Sequence, residues 1–140
     1  MAKTYKQYRF KFYLNMNHYI MNNGKAGEVH PHTWELMISV VSNNNKMTPF
    51  FNLERKIEQV MDRYQDKLLN SCEPFDKIVP TVENAARYFF SLIQDEIMPE
   101  GWILLMLELS ETPTRSYVIN AVLDEENIWN EWCDYITPKN

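Results

Sequence analysis

The chain has 140 residues and a formal net charge of -5, which suits one domain with a sizeable core and argues against a duplex nucleic-acid binder, whose affinity rests on many Lys and Arg contacts to phosphate. Its three glycines are too few for a phosphate-cradling loop, and no apolar run approaches the length of a membrane span. Cys72 and Cys133 show no pattern and read as free thiols, and Met1 to Lys6 lacks a hydrophobic signal core, so the expectation is a single cytoplasmic domain over residues 1–140.

Tyr8 to Ile20 alternates apolar with mostly polar residues and predicts a strand, with Phe10, Phe12, Leu14, Met16 and His18 on one face. Met21 to Glu28 is polar, holds two glycines and predicts a loop between antiparallel strands. Trp34 to Ser42 predicts the second strand, stopped by Asn43, Asn44, Asn45 and Lys46. His30 and His32 share parity with Trp34, Leu36, Ile38 and Val40. The chain has no other histidines, so two neighbouring strands can bring all three imidazoles to the rim of a core. A lone His-x-His is also common in surface loops. The third histidine, in register, makes a shared metal such as zinc the sharper reading, since three protein ligands leave a fourth position for water or substrate.

Asn52 is expected to cap a helix whose apolar face holds Leu53, Ile57, Val60, Met61, Tyr64 and Leu68. After a loop with Pro74 and Pro80, Thr81 caps a second helix, with Glu83 favourable in its first turn and a stop near Ile97 or Met98 ahead of Pro99. Trp102 to Leu109 reads as a strand buried on both faces, Glu111 to Thr114 as a turn, and Ser116 to Leu123 as a fourth strand. Ile128, Trp129 and Trp132 predict a short helical extension from about residue 125. The order strand, strand, helix, helix, strand, strand makes an α+β domain with helices on one face of an antiparallel sheet.

The lone histidine ending the first strand, His30-Pro31-His32, Pro74-Phe75-Asp76-Lys77-Ile78, Pro80-Thr81-Val82-Glu83-Asn84-Ala85-Ala86 and Glu111-Thr112-Pro113-Thr114 occur in an order that resembles the family of 6-pyruvoyl-tetrahydropterin and 6-carboxy-tetrahydropterin synthases, over roughly residues 8 to 122. The resemblance implies a tunnelling fold (T-fold), with trimers forming a β-barrel and stacking into a homohexamer. It implies zinc on His18, His30 and His32, and a pterin at a subunit interface anchored by Glu111. The implied activity is that of a lyase acting on 7,8-dihydroneopterin triphosphate or a related pterin, in queuosine or folate biosynthesis.

The chain also departs from that pattern. Ala26 stands where the family usually has a cysteine, Gln65 and Asp66 stand where it has an Asp-His pair, Pro31 replaces a glycine, and Phe50-Phe51 replaces an Asp-Phe. If all three histidines bind metal, none remains as a general base near neutral pH. Glu28, in the loop before His30, is then the candidate proton shuttle. Some members of the family use a glutamate near that point and cleave the side chain to leave a hydroxymethyl-dihydropterin. Asp66 is the candidate replacement for the missing histidine. Glu28 also reads as a solvated loop charge, Asp66 as a surface residue at a helix end, and Cys72 as a small buried side chain. The alternatives to an enzyme are a catalytically silent pterin-binding protein and a structural metal site.

Overall fold

The computed structural model of the chain describes residues 7–42 and 49–121. The expected asparagine stop at 43–45, the end of the fourth strand at Leu123, the tail helix and Cys133 lie outside the described residues.

Four strands form one antiparallel sheet: β1 (Tyr8–His18), β4 (His30–Ser42), β5 (Trp102–Thr112) and β6 (Arg115–Asn120), in the order β1-β4-β5-β6. A two-stranded ribbon of β2 (Met21–Asn22) and β3 (Lys25–Ala26) rises from the first connection. Helices α1 (Phe50–Asp62) and α2 (Val82–Ile97) pack on each other and against the sheet, as an α+β domain requires. Alternation along β1 buries Phe12, Leu14, Met16 and His18, and the matching parity of β4 buries Trp34, Leu36, Ile38 and Val40. The apolar ones meet Leu53, Ile57 and Met61 of α1 and Ala85, Ala86, Phe89 and Ile93 of α2 in a single core.

Several boundaries differ from the sequence expectation. β1 stops at His18 rather than Ile20 because the Asn70 side chain takes over the backbone of Tyr19, accepting from its N–H at 2.9 Å and donating to its carbonyl at 3.0 Å. β4 starts at His30, four residues earlier than Trp34, so both imidazoles of the His-x-His pair lie within the sheet. Helix α1 begins at Phe50 after Pro49, and Asn52 lies inside its first turn instead of capping it. The upstream extension follows from aromatic packing: the Phe50 ring sits 4.8 Å from Tyr8, 5.9 Å from Phe10 and 6.3 Å from Trp102. The same helix ends at Asp62, so Tyr64 and Leu68 follow it rather than belong to it. Thr81 does cap α2, its hydroxyl accepting from Asn84 N–H at 3.1 Å. β5 runs on to Thr112, which leaves Pro113 and Thr114 as the turn and places Glu111 within a strand.

The loop expected over 21–28 is the ribbon, turned by Asn23 and Gly24 with φ of 53° and 78°. Gly27 ties it down, its N–H bonding Ile20 O at 2.9 Å, in an approach where a Cβ would meet that oxygen at 3.0 Å.

The segment after α1 closes the outer edge of β1. Gln65 accepts from Asn15 N–H at 2.9 Å and donates to Tyr13 O at 2.7 Å, Asp66 N–H donates to Asn15 O, and Asn17 N–H donates to Lys67 O. With Asn70, two amide side chains stand in for a missing neighbour strand. Gln65→Ala removes two hydrogen bonds, each worth about 1 kcal/mol net, and is expected to lower stability by roughly 1–2 kcal/mol in urea denaturation. An effect below a few tenths of a kcal/mol would show that the clamp holds nothing.

Candidate metal centre

The antiparallel register of β1 and β4 sets His18 opposite His30 and Met16 opposite His32. Equal parity sends all three imidazoles to the helix-covered face, with ring centroids 4.6 Å apart for His18 and His30, 4.8 Å for His18 and His32, and 4.5 Å for His30 and His32. Trp34, two residues beyond His32 on the same face, lies edge-on beneath His18 at 5.2 Å and is fully buried.

Backbone carbonyls orient two of the rings. His18 Nδ1 donates to Pro80 O at 3.1 Å, just ahead of the N-terminus of α2, and His30 Nδ1 donates to Glu28 O at 2.9 Å. A carbonyl only accepts, so each Nδ1 carries the proton and each Nε2 presents a lone pair when the ring is neutral. A carbonyl that takes the N–H on the far side of the ring fixes the tautomer of a metal-bound histidine in this way.

From β5, Glu111 reaches the same point: its Oε1 lies 3.0 Å from His32 Nε2 and 3.5 Å from His18 Nε2. One ligand atom from each of His18, His30, His32 and Glu111 falls within 4.8 Å of the others. The Nε2 atoms of His18 and His32 are buried and have no hydrogen-bond partner among the described residues. Three imidazole nitrogens and a carboxylate oxygen are a donor set that zinc takes readily, and the orphaned buried nitrogens are what a bound cation would satisfy. The residues therefore fit the metal.

Burial is the largest influence on the His18 and His32 rings and lowers both below the ordinary value of 6.5; the neighbouring imidazoles push the same way, while Glu111 opposes them and, for His18, so does the bond to Pro80. Both rings are thus held neutral near pH 7, and their contacts to Glu111 are not ion pairs there. In metal-free protein the unfolded rings take up protons near pH 6.5, which the folded rings resist, so this contribution to stability is present at neutral pH and is lost as pH falls below that value. The urea midpoint of chelator-treated protein is expected to fall between about pH 7.5 and pH 5.5, and to fall less in His18→Gln. An equal fall in both proteins would contradict the assignment.

A cleft of about 400 Å³ opens from the cluster, lined by His18, His30 and Glu111 and by Thr81, Glu83, Arg115 and Tyr117. Glu83 and Arg115 have no site signature in the sequence. Glu83 satisfies the helix-start pattern, and only the nonlocal bond from His18 to Pro80 shows that this helix start faces the histidines.

The structure brings His18, His30, His32 and Glu111 together. It does not bring Glu28 or Asp66 to the wall of this cleft. The exposed Glu28 contributes its carbonyl to His30, and Asp66, with φ of 59°, lines a neighbouring cleft beside Pro31 and His32. Ala26 is exposed on the ribbon, and Gln65 is committed to the edge of β1. The Cys72 thiol donates to Leu68 O at 3.5 Å and packs against the core.

A family model described as 6-pyruvoyl tetrahydropterin synthase matches residues 7–122. Among solved structures, the chain is similar to 6-pyruvoyl tetrahydropterin synthase of Caenorhabditis elegans, at 18% identity and a TM-score of 0.69, with 83% of this chain and 95% of that one covered. The enzyme of the same name from Plasmodium falciparum matches at 15% identity and a TM-score of 0.59, over 84% and 99% of the two chains. An uncharacterized protein from Wolinella succinogenes matches at 13% identity and a TM-score of 0.56, over 83% and 99%. At such identities these structures speak for the shared fold alone. No curated protein sequence matches the chain.

Proposed function

The chain belongs to the 6-pyruvoyl tetrahydropterin synthase family, and on that premise we propose that it is a zinc-dependent enzyme acting on 7,8-dihydroneopterin triphosphate or a related pterin, as a carbon–oxygen lyase or by cleaving the side chain to a hydroxymethyl-dihydropterin. The observation that carries the reading is the convergence of His18, His30, His32 and Glu111, whose ligand atoms lie within 4.8 Å of one another, with His18, His30 and Glu111 lining one cleft.

Zinc bound there supplies a Lewis acid that polarises the oxygens of a ligand's side chain. His18, His30 and His32 would hold it, their rings oriented by the Pro80 and Glu28 carbonyls where those bonds exist. Glu111 is the proposed anchor of the pterin ring, because a carboxylate accepts paired N–H bonds from an amino group and an adjacent ring nitrogen. Glu83 offers a second carboxylate in the same cleft. Arg115 and the N-terminal turn of α2, in the same cleft, suit an anionic end such as a phosphate. Proton movement is assigned to Glu28 or Asp66. Their position off this wall is compatible with a role if they reach a cleft from a neighbouring copy.

Association of copies is supported by the sheet itself. The outer edge of β1 is closed from Tyr13 to Tyr19, whereas β6 carries no further strand among the described residues. That open edge is what a trimeric barrel would pair with β1 of the next copy, outside the segment closed from Tyr13 to Tyr19. Among the described residues no helix is long and apolar enough to cross a membrane, in keeping with the proposed cytoplasmic location.

Zinc-loaded protein is expected to bind neopterin in calorimetry and to convert dihydroneopterin triphosphate to a new pterin. Glu111→Ala should weaken pterin binding by about 10-fold or more, the scale of losing a charge-assisted pair of hydrogen bonds. Unchanged affinity would remove Glu111 from the anchor role.

A second reading, a pterin-binding protein without turnover, is favoured by the commitment of Gln65 to the strand edge and by Ala26 in place of a thiol. It predicts binding with no product, and the same affinity for a pterin and for its reacted form.

A further inference from the structure

Two features of Glu111 go beyond holding a ring. First, its contacts have the dimensions of shared coordination. Ligand atoms about 2.0–2.1 Å from one zinc ion at tetrahedral angles lie roughly 3.3 Å apart, and Glu111 Oε1 stands 3.0 Å and 3.5 Å from two imidazole Nε2 atoms. Second, the His18 contact is unfavourable without a cation. With Nδ1 bonded to the Pro80 carbonyl, the neutral His18 ring carries an unprotonated Nε2 3.5 Å from an electron-rich carboxylate oxygen, and that nitrogen is buried without a hydrogen-bond partner among the described residues. A cation between the two atoms converts this repulsion into attraction.

We propose that Glu111 is a fourth ligand of the metal in the ligand-free protein, closing a three-histidine, one-carboxylate site that an incoming substrate must open by displacing the carboxylate. The inference rests on the zinc reading above and deepens it. Exchange breaks one metal–carboxylate bond as a bond to the incoming oxygen forms, with no change of oxidation state. The released carboxylate is then free to accept N–H bonds from the ring of that same ligand, so opening the metal and anchoring the pterin become a single movement. Specificity follows, because a ligand that can coordinate but offers no paired N–H donors leaves Glu111 without a compensating partner.

The test uses full-length protein freed of metal and titrated with zinc or cobalt(II). Zinc affinity, measured against a competing chelator, should drop at least about 10-fold in Glu111→Gln, since even outer-shell changes at metal sites reach that size. Excess azide should leave the visible spectrum of cobalt-loaded wild-type protein unchanged and should shift that of Glu111→Gln, where a position has opened. The wild-type azide measurement stands on its own should the variant fold poorly. Equal zinc affinities in the two proteins, or an azide shift already present in wild type, would each overturn the proposal while leaving zinc binding by the histidines intact. Failure of wild-type protein to bind either metal would instead remove the zinc reading, and the proposal with it.

Discussion

Replacing His18 with alanine is expected to abolish metal-dependent stabilisation. At a free zinc concentration 100 times the dissociation constant, binding to the folded state alone stabilises it by about 2.7 kcal/mol, which for a domain of this size raises Tm by roughly 10 °C. His18 is the ligand with most riding on it. It is 2% exposed, its Nδ1 is committed to Pro80 O, and both other imidazoles lie against it. Removing it also leaves His30 and His32 of β4 with only the Glu111 carboxylate of β5, a set that has lost its most buried ligand and the one from β1. In differential scanning fluorimetry the zinc-induced shift should be large for wild type and near zero for His18→Ala. A shift preserved in the variant would show that zinc binds elsewhere.

The second large effect is expected at Trp34. This side chain is fully buried beneath the metal centre, edge-on to the His18 ring at 5.2 Å, and belongs to the same core as Leu14, Leu36 and Phe89. Trp34→Ala deletes the largest side chain in that layer and is expected to destabilise the metal-free protein by about 3–5 kcal/mol. A loosened platform under His18 should also weaken zinc binding by roughly 10–100-fold, the size of effect seen when groups that orient a metal's ligands are lost. Trp34→Phe keeps most of the packing and should cost less on both counts. If zinc affinity is unchanged in Trp34→Phe and Trp34→Ala alike, the ring contributes to folding and not to the site.

The parts of the structure that could be read in advance are those governed by local periodicity. Period-two alternation in β1 and β4 placed three histidines on the face of Leu14, Trp34 and Leu36, and the sheet has them there because side-chain parity survives any register that pairs the two strands over their apolar residues. Thr81 as the cap of α2 was equally legible, since the cap bond spans only three residues. What was not legible depends on contacts far apart in sequence. Nothing near Asn52 signals that Phe50 will pack on Tyr8 and Trp102 and draw the helix start back to Pro49. Gln65 looks like a lost aspartate until its amide is seen bridging Tyr13 and Asn15 across fifty residues of chain. Glu83 and Arg115 enter the site only because the Pro80 carbonyl and the β5–β6 hairpin bring the start of α2 and Arg115 to the same cleft.

Glu111 shows both sides of this division. Its place ahead of Thr112-Pro113-Thr114 marked it as a site residue, but its contact with two imidazoles emerges only from the register of β4 against β5, which pairs Glu35 with Ser110 and so carries the next residue toward Trp34, on the face that bears the histidines. A carboxylate to which the family resemblance gives a ligand ring as partner therefore has partners within its own chain as well.

The most direct measurement of the whole account is a crystal structure of zinc-loaded protein soaked with neopterin. The account predicts one ion on His18, His30 and His32, and the pterin ring in the cleft between Glu111 and the start of α2, with its amino group and ring nitrogen bonded to a carboxylate. An ion bound away from these histidines, or a ring bound outside the cleft, would contradict it.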